Sequence, residues 1–371
     1  MVITPKKLTV RLLAIKLFSR EQANKQSSLL TSHQLWPDSA PLAQLKERNF
    51  SSFNPTLLHA AGRDTLAFFR VSNIHFCDGR ESWRDSVLAN PHIRSVVALG
   101  RLDASSLMPI GEPAVLDAAS ALFPANGERC PSGPEDARAV WSPSEPHVPW
   151  LMVSGWSEDC SRAAMHLLKL PPEAPPSRVE LVVAHWSEGY SLAPPSSQRF
   201  QKNWAPFVYE EMLLVEYSIE PHVLLHVDGE TGRCVPLYEQ TSHAPLAEVQ
   251  RRVGRVSGGA PPVLLASRGI YLGLAHAKAS EQMAQHTGTR RMVYHHLFYA
   301  FSARPPFALV GAGPLMSLPQ PGAQPPTVQF AAGMAVRGDD ELLVSYGVLD
   351  CEMRLARFSL EHVLRDIGIE S

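Results

Sequence analysis

The sequence predicts an all-β fold made of many short strands, and three observations carry that prediction. Thirty-two prolines and 23 glycines are spread along the 371 residues rather than gathered in one linker, and they cut the chain into short pieces. The apolar runs between them are of strand length and bounded by turn residues. Helical periodicity is convincing only at the two ends.

Taken in order, residues 1–30 read as a helical or flexible extension, with helical spacing from Leu8 to Asn24. Lys6, Lys7, Arg11, Lys16 and Arg20 against Glu21 alone give this segment the charge of an amphipathic transit segment. Arg11 and Lys16 interrupt any secretory apolar core, so a cleaved signal peptide is disfavoured. Residues 31–371 are expected to form one domain. Its strands are expected at Leu66 to Val71, Val96 to Leu99, Trp150 to Val153, Leu181 to Ala184, Leu213 to Tyr217 and Val223 to Val227. The pattern continues at Val263 to Ala266, Tyr271 to Ala275, Met292 to Tyr299 and Leu342 to Tyr346. The proline-rich stretches at Pro171 to Pro176, Ala193 to Ser197 and Ser317 to Pro326 read as loops between strands, because strand patterning resumes after each. A short helix is expected over Ser359 to Ile367, where Leu360, Val363, Leu364 and Ile367 share one face.

An all-β chain of this length must hide its sheet edges. Four-stranded blades stacked radially around a channel do so and leave polar loops at one end. A pair of β-sandwiches is the alternative that strand counting leaves open. A propeller of the WD or kelch type would need a blade-length repeat of Trp-Asp or Gly-Gly signatures, which the chain does not display.

Composition narrows the partners. Hydrophobic residues make up 45% and charged residues 19%, which is enough to bury a sizeable core. The 34 basic and 36 acidic side chains leave a net charge of −2, with no bulk attraction for nucleic acid or anionic membrane. No apolar run approaches the roughly 18 residues that span a bilayer. The five cysteines lie far apart without a C-x-x-C pair, so buried free thiols are expected rather than a zinc cluster or a disulfide framework. The expected partner is therefore a neutral molecule, with a cytoplasmic location favoured and the oligomeric state open.

Four clusters carry candidate chemistry. In Glu135-Asp136-Ala137-Arg138, strand alternation puts Glu135 and Asp136 on opposite faces and Asp136 with Arg138 on the same one. Asp136 there is placed to give a proton to a departing glycosidic oxygen, and Arg138 to hold hydroxyls or an anion; a structural ion pair is the competing reading. Lys202-Asn203-Trp204, followed by His222, offers a cation, an amide and an indole for sugar recognition, against the plain reading of Trp204 as core. Arg255 to Gly259 reads as a loop entering a strand that ends in His276, a candidate for phosphate or a sugar hydroxyl. His295 and His296 fall on opposite faces of a strand and do not suit a shared metal. Tyr346 to Asp350 ends a strand with a carboxylate that can face a funnel, although Asp and Gly after a strand are also ordinary turn chemistry.

In their order along the chain, these clusters resemble glycoside hydrolase family 130, the mannoside phosphorylases with their β-1,2-mannosyltransferase relatives. The resemblance rests on Asn54-Pro55, Glu135-Asp136-Ala137-Arg138, Lys202-Asn203 and Tyr346-Gly347-Val348-Leu349-Asp350, and spans about Asn49 to Ile367. It implies a five-bladed β-propeller with short terminal helices, and inverting transfer of mannose between a β-mannoside and phosphate or another acceptor. No metal or nicotinamide is implied; inorganic phosphate is the one possible co-substrate. Asp136 would be the acid, Arg138, Lys202 and His276 would coordinate phosphate or acceptor with His222 as a compensating group, and Asn54, Asn203, Trp204 and Asp350 would line the sugar subsite; Glu135 and Tyr346 count among the substrate-binding residues, and the partner implied is an oligosaccharide or sugar-phosphate. Two departures weigh against phosphate: Ala137 replaces the family's proline, and Tyr217-Ser218 stands where its phosphorylases carry His-Arg. A non-catalytic glycan-binding propeller is the alternative function.

Overall fold

The computed structural model describes residues 28–36, 50–73, 94–116, 133–145, 147–156, 163–170, 180–183, 185–186, 202–278, 293–320 and 328–369. The expected helix at Leu8 to Asn24 lies outside these residues. The described strands form five sheets, each essentially a four-stranded antiparallel blade. Blade 1 is β2 (Ser51–Leu58), β3 (Thr65–Ser72), β4 (Ser95–Leu102) and β5 (Pro109–Leu116). Blade 2 is β6 (Glu135–Trp141), β7 (Pro149–Trp156), β8 (Ala163–Lys169) and β9 (Glu180–Val183). Blade 3 comprises β11 (Ala205–Tyr209), β12 (Met212–Ser218), β13 (His222–Val227) and β14 (Arg233–Gln240), with the two-residue β10 (His185–Trp186) added parallel to β14. Blade 4 is β15 (Val256–Leu265), β16 (Ile270–Lys278), β17 (Tyr294–Ser302) and β18 (Leu309–Ala312). Blade 5 is β19 (Gln329–Arg337), β20 (Glu341–Val348) and β21 (Glu352–Ser359), completed by the N-terminal β1 (Leu29–Gln34) on the outside of β21. The chain thus forms a five-bladed β-propeller whose ring is closed by its own first strand, which begins two residues ahead of the expected boundary at residue 31.

The short apolar runs of the sequence now have a cause. Both faces of a blade are buried, so a strand is apolar on both sides and its neighbours in sequence serve different seams. In β20, Leu342 and Val344 pack toward blade 4 while Leu343 packs toward blade 1. Phe68 and Phe69 of β3 likewise go to the seams with blades 2 and 5 respectively. The core is accordingly divided into five apolar clusters, one per seam. Burying a Leu, Val or Phe side chain in such a seam stabilises the fold by about 1.5–3 kcal/mol.

Among the described residues two α-helices accompany the blades: α1 (Ala244–Arg252) and α2 (Leu360–Asp366). α2 is capped by Ser359, whose hydroxyl accepts from the His362 amide, and it buries Leu360, Val363 and Leu364. α1 was not expected; Pro245 in its first turn and buried Leu246 are the signals that mark it. The stretch read as a loop at Val256 to Gly259 is part of β15, which runs on through Pro261 and Pro262 because register shifts at Gly258/Ala260 and Ala260/Val263 take those residues out of the ladder. Cysteine usage also departs from expectation. Cys234 is a buried free thiol, but Cys351 is disulfide-bonded. No helix among the described residues is long and apolar enough to cross a membrane.

Candidate functional site

The innermost strands β2, β6, β11, β15 and β19 touch one another around the propeller axis. Four of them carry a register shift, at Phe53/Thr56, Glu135/Arg138, Gly258/Ala260 and Ala331/Gly333. An extra residue in one strand bends it and re-aims its side chains. Asn54, Asp136, Asn203 and Asp350 all sit at left-handed backbone angles, with φ of 53°, 49°, 65° and 47°. Asn and Asp are the non-glycine residues that tolerate this region best, at a cost of about 1–2 kcal/mol each. They come from blades 1, 2, 3 and 5, and strain repeated on four blades is a mark of a functional centre.

The shift in β6 overturns the alternation argument made for its carboxylates. Glu135 and Asp136 do not diverge; both reach Arg70 of β3, at 3.1 Å from Nη2 to Glu135 Oε1 and 3.4 Å from Nη1 to Asp136 Oδ1. Arg70 Nε donates to Ser95 Oγ at 3.0 Å, which fixes the plane of the guanidinium. Lys202 Nζ donates to the other Glu135 oxygen at 2.7 Å, and Asn54 Nδ2 donates to Asp136 Oδ1 at 2.9 Å. Glu135 is buried with both oxygens taken by cations, whereas the side chain of Asp136 is 19% exposed and that of Lys202 is 36% exposed. The cluster therefore opens to solvent on the side of Asp136 and Lys202.

Arg138 points inward. It is 1% exposed, donates through Nε to the Gly259 carbonyl at 2.6 Å, through Nη2 to Asn203 Oδ1 at 3.2 Å and through Nη1 to the Asp136 carbonyl. Its guanidinium lies 4.8 Å from the Phe330 ring centroid. His276 packs on the same ring, 5.1 Å between centroids. Arg138 thus ties blade 2 to blades 3, 4 and 5.

The charges decide which groups hold protons. Burial works against ionised Asp136, but Arg70, Arg138 and Lys202, with the Asn54 amide, outweigh it and hold the carboxyl below its usual range. Glu135 is likewise lowered, since Arg70 and Lys202 overcome its desolvation. Asp350 moves the other way: burial, then repulsion by Asp136, push it up to about 7 against the attraction of Arg70 and Lys202. Burial lowers Arg138 to about 10, which leaves it charged at neutral pH. His276 is lowered to about 3, first by burial and then by the positive Arg138. Tyr294 is raised by burial and by the charges of Asp350 and Asp136.

Of the residues singled out from sequence, Asn54, Glu135, Asp136, Arg138, Lys202 and Asn203 are joined by the bonds above, and Asp350 lies within their field. His276 borders the group through Arg138 and Phe330. Three others do not join it. Trp204 is 3% exposed in the seam of blades 2 and 3, edge-on to Tyr217 at 5.5 Å, so its indole face is core rather than a platform for sugar. His222 is fully buried between blades 3 and 4, where its Nε2 lies 3.0 Å from Glu216 Oε1 and the other Glu216 oxygen accepts from the Tyr299 hydroxyl. Tyr346 is fully buried in the seam of blades 4 and 5 and donates to the Pro319 carbonyl at 2.7 Å. Arg70, which holds the two carboxylates together, was missed. Its only sequence signal is a guanidinium inside the apolar run Leu66 to Val71.

No family model and no curated protein matches the chain. Solved structures of the same fold include a β-1,2-mannobiose phosphorylase from Listeria innocua in complex with β-1,2-mannobiose, 18% identical over 87% of this chain and 94% of that one, with a TM-score of 0.55. A mannose phosphorylase from Leishmania mexicana in complex with phosphate is 13% identical over 94% of both chains, with a TM-score of 0.50. A GDP-mannose-dependent mannosyltransferase from the same organism is 11% identical over 93% of this chain and 94% of that one, also at 0.50. At such identities the likeness establishes the five-bladed fold.

Proposed function

We propose that the chain is a carbohydrate-active enzyme that transfers or cleaves a β-mannosyl unit, with inversion, at the charged centre around Asp136. The observation that carries this reading is the gathering of Asn54, Asp136, Asn203 and Asp350 from four blades, in left-handed backbone, around Arg70 and Arg138, with Asp136 a partly open carboxylate bound to Arg70 and Asn54. Hydroxyl-rich ligands are gripped by such rings of amides and carboxylates. The sugar class follows the neighbours of like fold, whose substrates are mannosides, and no cofactor is required.

Asp136 and Asp350 form a coupled pair that holds one proton below pH about 7, the lowered Asp136 ionised and the raised Asp350 protonated. In the reaction the bond between the anomeric carbon and the glycosidic oxygen breaks. The oxygen takes a proton that comes from Asp350 and that the ionised Asp136 relays by way of a sugar hydroxyl. An oxygen of phosphate, of a second sugar or of water attacks the anomeric carbon from the opposite face, and an attacking hydroxyl or water loses its proton to solvent. Arg70, Glu135 and Lys202 fix Asp136, while Asn54, Asn203 and Asp350 grip sugar hydroxyls. Ser218, where the resemblance would put a phosphate-binding guanidinium, carries no charge, and Tyr217 beside it packs on Trp204, which favours a hydroxyl or water over phosphate as acceptor.

The test is a panel assay on the purified protein. β-1,2-Mannobiose with and without phosphate, α-mannose 1-phosphate with sugar acceptors, and GDP-mannose with the same acceptors are followed by product chromatography. Turnover of one donor is expected. Binding of mannosides without turnover would replace the enzyme with a glycan-binding propeller, and neither binding nor turnover would end the carbohydrate reading.

A further inference from the structure

At the seam of blades 4 and 5, just behind Arg138, His276 of β16 and His296 of β17 stand directly opposite each other in the strand register. Directly paired residues project from the same face of a sheet. That face looks onto blade 5, where Phe330 meets His276 and Phe358 meets Phe298, two residues along from His296. Both imidazoles are buried, His276 at 5% and His296 at 0% exposure. Nδ1 of His276 is buried without a hydrogen-bond partner. His296 has no partner on either ring nitrogen. Three buried ring nitrogens side by side are left without a protein group to bond.

Buried polar atoms in native proteins are almost always satisfied, and each orphan costs about 1–3 kcal/mol. A cation does not suit this place, because Arg138, Lys278 and Arg255 all act on His276 with positive charge. An anion does not suit it either, because burial keeps both imidazoles neutral and each then presents an acceptor nitrogen as well as a donor. A neutral molecule that both donates and accepts does, and bound water bridging otherwise unsatisfied groups is the usual occupant of such a site.

We propose that His276 and His296 form a built-in site for ordered water, bonded to His276 Nδ1 and to His296, and that this water makes His276 a positioning residue behind Arg138. The water site stands on its own observations; its effect on turnover rests on the proposed function.

His296→Phe and His296→Gln separate the possibilities, since neither touches the charged centre. With the water in place, phenylalanine expels it and strands His276, so Tm falls by roughly 2–5 °C, whereas glutamine, which can still donate and accept, recovers most of the loss. Where a substrate has been identified, kcat falls severalfold in His296→Phe with KM little changed, and glutamine restores it. A Tm unchanged or raised by phenylalanine overturns the proposal, because removing a true orphan is stabilising. Should neither variant fold, a high-resolution crystal structure of the unaltered protein decides: density for water between the two rings supports the site, and its absence refutes it. A stability effect without a kcat effect removes the positioning role and keeps the water.

Discussion

Asp350 carries the sharpest consequence at the level of single residues. Its carboxyl is raised from 3.8 to about 7 by burial and by Asp136. A carboxyl raised in the folded state binds its proton more tightly there than in the unfolded chain. Its favourable contribution is complete below pH about 4 and is lost as pH rises through about 7. Asp350→Asn never pays that ionisation, so its Tm relative to the unaltered protein should climb between pH 4 and pH 7 and level off above, as scanning calorimetry across that range would record. Activity should move oppositely: kcat/KM should fall on the basic side with a midpoint near 7 and be low at all pH values in the variant. Arg70 presents the converse case. It is the shared cation of two buried carboxylates, and breaking a buried pair by removing one partner costs about 3–5 kcal/mol. Arg70→Leu should therefore lower the midpoint of urea unfolding strongly, with recovery at acid pH as Glu135 and Asp136 take up protons.

Within the elements, the bulges of the inner strands matter more than their ladders, because they turn Asn54 and Asp136 toward the axis. The close approach that fixes Asn54 is to Gly347 of β20, where an added Cβ would stand 2.2 Å from Asn54 Oδ1. Gly347→Ala should displace the amide and, through its 2.9 Å bond, Asp136. The expected result is a kcat about tenfold to a hundredfold lower with far-ultraviolet circular dichroism unchanged; an unaltered kcat would deny Asn54 its role. This scale also explains what the sequence could and could not disclose. Strand positions were legible because both faces of each blade are buried, as Leu342, Leu343 and Val344 illustrate. The direction of Glu135 was not, since period-2 alternation assumes a regular strand and the shift between Glu135 and Arg138 breaks it. Nor could the first part of β15 be seen ahead of its two prolines, which a bulged strand admits, although the run from Val263 was legible.

Across the molecule, the site exists only because the ring closes. β1 completes blade 5, blade 5 brings Asp350 beside the carboxylates of blade 2, and Arg138 reaches from blade 2 to the Gly259 carbonyl of blade 4 and to Asn203 ahead of blade 3. Motifs far apart in sequence were therefore informative through their joint order, and short motifs taken singly were not. Trp204, His222 and Tyr346 each lie in or beside a motif yet serve the seams, since aromatic and polar residues at blade junctions look alike in sequence whether they face the axis or a neighbouring sheet. Arg70 escaped for the opposite reason, being one cation in an apolar run whose partners lie 65 and 66 residues further on.

The central claim is that Asp136 relays the proton on which bond cleavage depends, in a site whose ligand grip is supplied by others. Its most direct test is Asp136→Asn, which keeps size and the bond to Asn54 but removes the carboxylate that relays the proton, assayed on the donor that the unaltered protein turns over, with binding followed by titration calorimetry. The account predicts a kcat at least about a hundredfold lower with Kd within a few fold of the original. A variant that binds equally well and turns over at the original rate would contradict it.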